Sequence, residues 1–544
     1  MGARIEPDLL NVTAQPPPLD LDDEPFVGLL GRLFAVAVVL AVIAGIVLRF
    51  KTRSPLWEDE ALTVAIAKRP LGELHGLLRH DGSPPLYYVL LHVWMKVCGT
   101  GDTAARALSG LFGVLSLPAA WFVGRRIGGN DRVRGAWIGW ASVLVVATSP
   151  YAIRYSTEVR MYELETLLVL LGYLAVARAL ERPTAWWLVA VAVVTAALVY
   201  TQYWAFYLVG AVLVGLFVRA RRARERDVSA TWRVIGAIVV GGLTFVAWLP
   251  TFAYQSRHTG TPWAERTSPP MAAYRLVLGF AGQRGVAAYT LVMALLGLAV
   301  LGLCGYALDR EHTVLDWRTR PATRWLAYAT ASTVVIGLCL AYGGVGAPAI
   351  RYPSLVFGLF AVLVGAGVLA LGSRVMRYGV LAVVVLAGLV VGVHNATRLR
   401  TQAGQIAAAI NAEAKPGDVV AYCPDQLGLD ASRLVTPVVR QYAFPTLAAP
   451  EIVNWVDYEQ RNQVFHRPGV AGNLADPATF AAEILRRAGP GHTVWYVWSD
   501  GYRTFGTKCG DMVDEFQRAR PNAKRLVRED LTVFESENLT RFSP

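Results

Sequence analysis

The chain has 544 residues, 54% hydrophobic and only 17% charged, with a mean hydropathy of +0.39 and a net charge of +12. Soluble domains carry about 25% charged and 45–50% apolar residues, so a single water-soluble globule is excluded, and general disorder with it. Residues 401–544 hold 15 Lys/Arg against 17 Asp/Glu, so the basic excess sits on the hydrophobic part, where cytoplasmic loops need it, and not on one soluble face of a nucleic-acid binder.

Residues 1–28 read as a disordered cytoplasmic tail, acidic and rich in proline (Pro16 to Pro18, Asp20, Asp22, Asp23, Glu24). The first apolar run, Leu29 to Leu48, is a span and not a cleavable signal, because no basic segment precedes it. An outer loop follows over residues 50–83. Two apolar halves come next, Pro84 to Val97 and Ala104 to Val123, of which one spans and the other lies along the interface or re-enters. Further spans are read at residues 136–149, 164–180, 186–200, 203–218, 234–249, 286–305, 325–342, 354–371 and 378–393. Arginine clusters at 125–134, 219–226, 310–324 and 374–377 are placed inside. The expected fold is an α-helical polytopic membrane protein of about 11 transmembrane helices over residues 29–395, with the N-terminus inside and the C-terminus outside.

Residues 396–544 read as an extracytoplasmic soluble α/β domain. The pattern predicts a helix at 402–414, a strand at Val419 to Tyr422, a helix at 478–487, a strand at Thr493 to Trp498 and strand material at Leu526 to Glu535. Cys423 and Cys509 are its only cysteines; a disulfide between them suits an oxidising compartment, two separate buried thiols being the alternative. Cys-x-x-Cys is absent and the histidines are scattered, so spacing assigns no metal ligands.

Five polar clusters fall on the outer side. Trp57-Glu58-Asp59-Glu60 sets three carboxylates at the bilayer boundary, where a carboxylate holds protons more tightly and accepts one from a hydroxyl; a solvated acidic loop is the alternative. Arg154, Glu158 and Arg160 follow another span, beside Tyr155 and Tyr162. Guanidinium suits an anionic phosphate because it forks onto two oxygens, while a structural Arg–Glu pair is the competing explanation. Gln202 and Tyr203, the segment from Tyr254 to Trp263, and Arg351-Tyr352-Pro353 complete the set. Their aromatics form an interfacial belt or offer flat faces to sugar rings, and Arg351 is a lone cation where two spans meet the surface.

Trp57-Glu58-Asp59-Glu60-Ala61, Asp81-Gly82-Ser83-Pro84-Pro85-Leu86-Tyr87-Tyr88, the stretch from Arg106 to Gly113 and Tyr155-Ser156-Thr157-Glu158-Val159-Arg160-Met161-Tyr162 occur in that order. Together they resemble the dolichyl-phosphate-mannose-type glycosyltransferases, family 39 of the GT-C superfamily, relatives of protein O-mannosyltransferases and of the aminoarabinose transferase acting on lipid A. The Gln255 to Trp263 segment and Arg351-Tyr352-Pro353 look like those of actinobacterial members. The resemblance implies a GT-C fold in the plasma membrane, with transfer of a sugar (mannose or a related hexose or pentose) from a polyprenyl-phosphate carrier to a hydroxyl of a cell-envelope glycan, lipid or protein, with inversion. It implies Asp59 as general base with Glu60 beside it and phosphate binding by Arg160, to which the reading of the outer charges adds Arg351 and Arg154. Asp81, Tyr155, Glu158, Tyr162, Gln202, Tyr203, Trp263 and Tyr352 would bind substrate.

The sequence departs from the family where Ser83 and Gln202 stand in place of histidines, which weakens any metal role there. No cofactor is assigned and a divalent metal is left open. The competing function is a polytopic transporter or flippase of lipid-linked sugars. It would show charges in mid-span and inverted repeats, whereas here the ionisable residues collect at one face.

Overall fold

The computed structural model describes residues 25–222, 225–261, 267–282, 285–343, 349–463, 474–500 and 502–544. The expected tail lies almost wholly outside the described residues, and Trp263 lies outside them too.

Helix α1 (Gly28–Leu48) turns Leu29, Leu33, Val36 and Leu40 outward and buries the small residues Gly31, Ala41 and Gly45. Such a distribution belongs to a helix that meets lipid on one side and neighbouring helices on the other. The segment expected as an outer loop folds into two helices, α2 (Glu58–Lys68) and α3 (Leu71–Asp81). Gly82 ends α3 in the left-handed region at φ 92°, and a Cβ there would meet the Thr259 Oγ1 at 2.9 Å. Only glycine suits both demands.

Next come α4 (Leu86–Cys98) and α5 (Asp102–Ile127). With 13 residues α4 is too short to cross, while α5 has 26, so the second apolar half is the span. After α6 (Arg132–Thr148), the Ser149 side chain caps a new helix and Pro150 takes its first position, where the missing N–H costs nothing. The result is α7 (Pro150–Ser156), bent 57° from α6 and leading straight into the Tyr155–Tyr162 segment.

The bundle continues through α8 (Tyr162–Glu181), α9 (Ala185–Val199), α10 (Ala205–Arg222), α11 (Glu225–Leu243), α12 (Leu249–His258), α13 (Pro269–Phe280) and α14 (Val286–Cys304). A short hairpin of β1 (Gly305–Ala307) and β2 (Thr313–Leu315) separates α14 from α15 (Pro321–Tyr342), α16 (Ser354–Gly367) and α17 (Arg374–Thr397). Among the described residues six helices are long and apolar enough to cross a membrane, and the bent pair α6–α7 makes a seventh. The expected figure of about 11 is reached only by adding α8, α9, α10 and α16, which pack in the same bundle. Helices α9 and α16 are short, α8 carries Glu163, Glu165, Arg178 and Glu181, and α10 ends in three arginines, so length and composition alone do not qualify them.

Beyond α17 the chain forms an α/β unit. It comprises α18 (Ala403–Glu413), β3 (Val419–Cys423), α19 (Leu427–Ala431), β4 (Arg440–Ala443), α20 (Tyr458–Gln463), α21 (Pro477–Ala488), β5 (Val494–Trp498), α22 (Lys508–Ala519), β6 (Ala523–Val527) and β7 (Asn538–Phe542). The sheet order is β4-β3-β5-β7-β6, with β3 parallel to β4 and β5, and β7 antiparallel to β5 and β6. The expected strand at 526–535 is corrected. Strand β6 stops at Val527, and the Asp530 carboxylate then accepts the Thr532 N–H and hydroxyl in a tight turn. Cys423, at the end of β3, is disulfide-bonded to Cys509 at the start of α22.

Candidate active site

Helix α4, Arg106 of α5, Val159 and Arg160 of the α7–α8 corner, Arg351 ahead of α16 and the α/β unit all meet α2 at one end of the bundle. The site is built where they meet. Three successive carboxylates on the first turn of α2 have three different surroundings, because successive helical positions point about 100° apart.

Glu60 faces inward and is fully buried. The Arg106 guanidinium forks onto it, Nε to Oε1 at 2.8 Å and Nη2 to Oε2 at 2.5 Å, and the Val159 N–H donates to Oε1 at 2.9 Å. The Arg400 Nη1 lies 3.9 Å from its other oxygen. With its lone pairs so occupied and no access to solvent, Glu60 joins α2, α5 and the Glu158–Val159 turn, and the expectation of a reacting carboxylate beside Asp59 is corrected.

Asp59 faces the cleft. Its carboxylate pairs with Arg351 at 3.0 Å, and the two side chains keep 18% and 19% of their exposure, enough to be reached by a ligand. Its backbone carbonyl accepts the Thr63 hydroxyl at 2.7 Å, and Thr63 in turn accepts from Arg160 Nη1 at 2.9 Å. Two guanidinium groups from segments about 190 residues apart are thus anchored to one turn of α2. The positive charge at this helix N-terminus adds to theirs.

Glu58 faces the α/β unit, and its backbone N–H donates to Glu535 at 3.3 Å. Burial first, then the neighbouring Asp59, Asp430 and Asp425, push its carboxyl well above the usual range.

Aromatic groups lie beside the two arginines, the Tyr162 ring 6.0 Å from Arg160 and the Tyr352 ring 5.8 Å from Arg351. Tyr155 packs edge-on against Tyr151 and Tyr162 at 4.6 and 4.8 Å, and Tyr352 lies 5.5 Å from Trp204. The Tyr162 hydroxyl is buried with no hydrogen-bond partner. On the far side, Asp81 at the end of α3 accepts from the Tyr88 hydroxyl at 2.8 Å. Burial raises its carboxyl above the ordinary value, against Arg160, Ser83 and Tyr88, which favour the ionised form.

Several expected ligand-binding groups are engaged within the protein. Arg154 pairs with Glu158, a carboxylate one turn on, at 3.0 Å and keeps 33% of its side-chain exposure. Glu158 is itself 1% exposed. With its amide nitrogen facing Glu165, Gln202 donates to both oxygens of that carboxylate at 3.1 and 3.2 Å. Tyr203 donates to Gln255 and accepts from the Trp248 indole at 3.1 Å.

Sequence reasoning passed over Arg106, Thr63 and Arg400. Arg106 stood in a quoted motif and its buried carboxylate partner could have been sought; Arg400 lies after the last span, and its pairing with Thr157 at 2.9 and 2.6 Å is a tertiary fact. Within the bundle, an apolar cavity of about 240 Å³ lies between α8, α9, α10, α15 and α16, lined by Val169, Leu198, Val212, Leu326 and Leu359.

Residues 82–250 match the family described as dolichyl-phosphate-mannose-protein mannosyltransferase. The fold resembles two structures of ArnT from Cupriavidus metallidurans. The apo form aligns at 13% identity and a TM-score of 0.52, and the form bound to undecaprenyl phosphate at 12% and 0.50; each covers 94% of this chain and 97% of the other. An oligosaccharyltransferase from Archaeoglobus fulgidus aligns more loosely, at 9% identity over 84% of this chain and 67% of its own, with a TM-score of 0.48. No curated protein matches the chain by sequence. The chain thus shares the fold of ArnT over nearly its whole length, and the family match falls on the segment that supplies Arg160 and Gln202.

Proposed function

We propose that the protein transfers a sugar from a polyprenyl-phosphate carrier to a hydroxyl of a cell-envelope acceptor, by inverting displacement on the extracytoplasmic side of the plasma membrane. The observation that carries this reading is the Asp59–Arg351 pair at 3.0 Å, with Arg160 tied to the same helical turn. Displacement at an anomeric carbon needs a base for the incoming hydroxyl and positive charge for the departing phosphate, and these three side chains supply both.

The pair also orders the steps. While Arg351 holds it, the Asp59 carboxylate is engaged in the ion pair and not turned to an acceptor hydroxyl. A donor phosphate that takes over the Arg351 fork frees the carboxylate at the moment when a sugar lies next to it. Asp59 then accepts the proton of the acceptor hydroxyl as that oxygen bonds to the anomeric carbon. The carbon–oxygen bond to phosphate breaks, and its electrons and charge settle on the phosphate between Arg351 and Arg160. Tyr352, partly exposed beside Arg351, offers a flat face to the sugar, while Tyr155 and Tyr162 are buried. ArnT binding undecaprenyl phosphate on the same fold supports a lipid-phosphate donor, and the apolar cavity offers a place for its isoprenoid chain. The basic clusters at the opposite end of the bundle and the Cys423–Cys509 bond support the proposed sidedness.

The test is incubation of the purified protein with a panel of radiolabelled polyprenyl-phosphate sugars and envelope fractions. Label should move from one donor to an acceptor fraction. Binding of a donor with transfer from none would point instead to a lipid-sugar transporter.

A further inference from the structure

The Asp430, Glu535 and Glu537 carboxylates, from α19 and the segment entering β7, converge so that one oxygen of each lies within 4.8 Å of the others. All three residues are at most 3% exposed. Glu535 and Glu537 are two residues apart in extended chain, which puts both side chains on one face. Thr401 completes the ring, its hydroxyl within 2.5 Å of Asp430 Oδ2 and 3.0 Å of Glu537 Oε1.

A second observation is independent of this clustering. Glu535 Oε1 and Glu537 Oε2 are buried and have no hydrogen-bond partner. Among the described residues, no Lys, Arg or His forms an ion pair with any of the three. Buried charge is ordinarily paired or bound to a metal, because an isolated carboxylate loses several kcal/mol on leaving water.

We propose that Asp430, Glu535 and Glu537, with the Thr401 hydroxyl, bind one hard divalent cation, calcium, at the junction of the α/β unit with helix α2. The donor set is all oxygen, which suits calcium or magnesium and disfavours zinc or copper. Calcium is the better match for a dry cage made by protein groups alone, since magnesium gives up its water reluctantly.

The cation would do more than satisfy its ligands. Glu535 accepts the backbone N–H of Glu58, and Phe534 packs edge-on against Trp57 at 5.3 Å. A bound ion therefore fixes the residue next to Asp59 and ties the catalytic helix to the α/β unit. This site is distinct from the Asp59–Arg351 cleft and does not depend on what that cleft transfers.

The experiment uses the full chain in detergent, stripped with EDTA and dialysed. Thermal unfolding is followed with and without Ca²⁺, and Tb³⁺ luminescence is titrated and competed with Ca²⁺. The expected result is one Ca²⁺-competable Tb³⁺ site per chain and a midpoint that rises by several degrees with Ca²⁺, since a ligand that binds only the folded state stabilises it. Glu537→Gln and Glu535→Gln should each weaken Ca²⁺ binding by about tenfold or more. Their midpoints without Ca²⁺ should equal or exceed that of the stripped wild type. A wild-type midpoint indifferent to Ca²⁺, or Tb³⁺ binding unchanged in both variants, overturns the proposal. If a variant does not fold, the wild-type shift decides alone.

Discussion

At the scale of single residues, the first turn of α2 shows how three adjacent acids come to do different work. Glu60 is locked by Arg106, Asp59 meets Arg351 at the open cleft, and Glu58 faces other acids. Removing one partner of a buried pair leaves the other uncompensated. Glu60→Gln should therefore cost about 3–5 kcal/mol of stability, read by thermal or denaturant unfolding. A loss within about 0.5 kcal/mol, the usual surface effect, would show that Glu60 is not the anchor. Asp81 gives a pH prediction. Burial raises its carboxyl in the folded state, so the native protein keeps a proton that the unfolded chain has released. That contribution to stability is complete below the unfolded value, about 3.9, and is lost as pH rises to the folded value. Unfolding of wild type and Asp81→Asn, compared from about pH 4 to about pH 7, should show the wild type losing ground to the variant as pH rises. A pH-independent difference would contradict this. Which acids and guanidinium groups mattered was partly legible in the sequence. Asp59, Arg160 and Arg351 stood where charge is costly, but Glu60 and Arg154 looked equivalent to them, because pairing depends on which way a helix face turns after packing.

At the scale of elements, close approach of backbones sets the frame that holds the cleft. A Cβ on Gly45 of α1 would lie 2.1 Å from the Ala147 carbonyl oxygen of α6, the oxygen to which Arg49 donates at 2.7 Å. Since backbone cannot rotate away as a side chain can, Gly45→Ala should force α1 and α6 apart and cost about 1–3 kcal/mol. Thermal unfolding in detergent checks it, and a variant as stable as wild type would show that α1 moves freely. Long apolar runs were legible because a span leaves a continuous composition signal. The Ser149-Pro150 break also had a local cause, yet the resulting bend was not foreseen from the run at 136–149. Helices α2 and α3 read as loop, for they are 11 residues each and mix charge with apolar positions. Strand β4, four residues long, left no readable alternation. Glu535 ends the stretch that pattern alone assigned to a strand and forms only an isolated bridge with Thr401, while Glu537 lies beyond that stretch.

At the scale of the whole molecule, the α/β unit is part of the site's scaffold. Arg400, the first buried residue after the bundle, donates twice to Thr157 in the α7–α8 corner and lies 3.8 Å from Glu158. Arg433 pairs with Asp102 at the start of α5 at 2.6 Å, and the Trp455 N–H donates to the His80 carbonyl at 3.0 Å. Arg400→Ala should thus lower stability by about 1.5–3 kcal/mol, the range for hydrogen bonds to a charged group, and lower transfer as the corner carrying Arg160 loosens. Unchanged unfolding and unchanged transfer would detach the unit from the site. The two-part organisation was legible from the shift in charge and hydropathy near residue 396, while the docking of one part on the other was not, since it rests on single contacts between distant segments.

The central claim, that Asp59 takes a proton while two guanidinium groups receive a phosphate, is tested most directly by single-turnover transfer by Asp59→Asn, with donor binding measured on the same preparation. Donor binding should be at least as tight as in the wild type, because Arg351 is no longer held by a carboxylate, and turnover should be lower by about 10² or more. A folded Asp59→Asn protein that transfers sugar at the wild-type rate would contradict it.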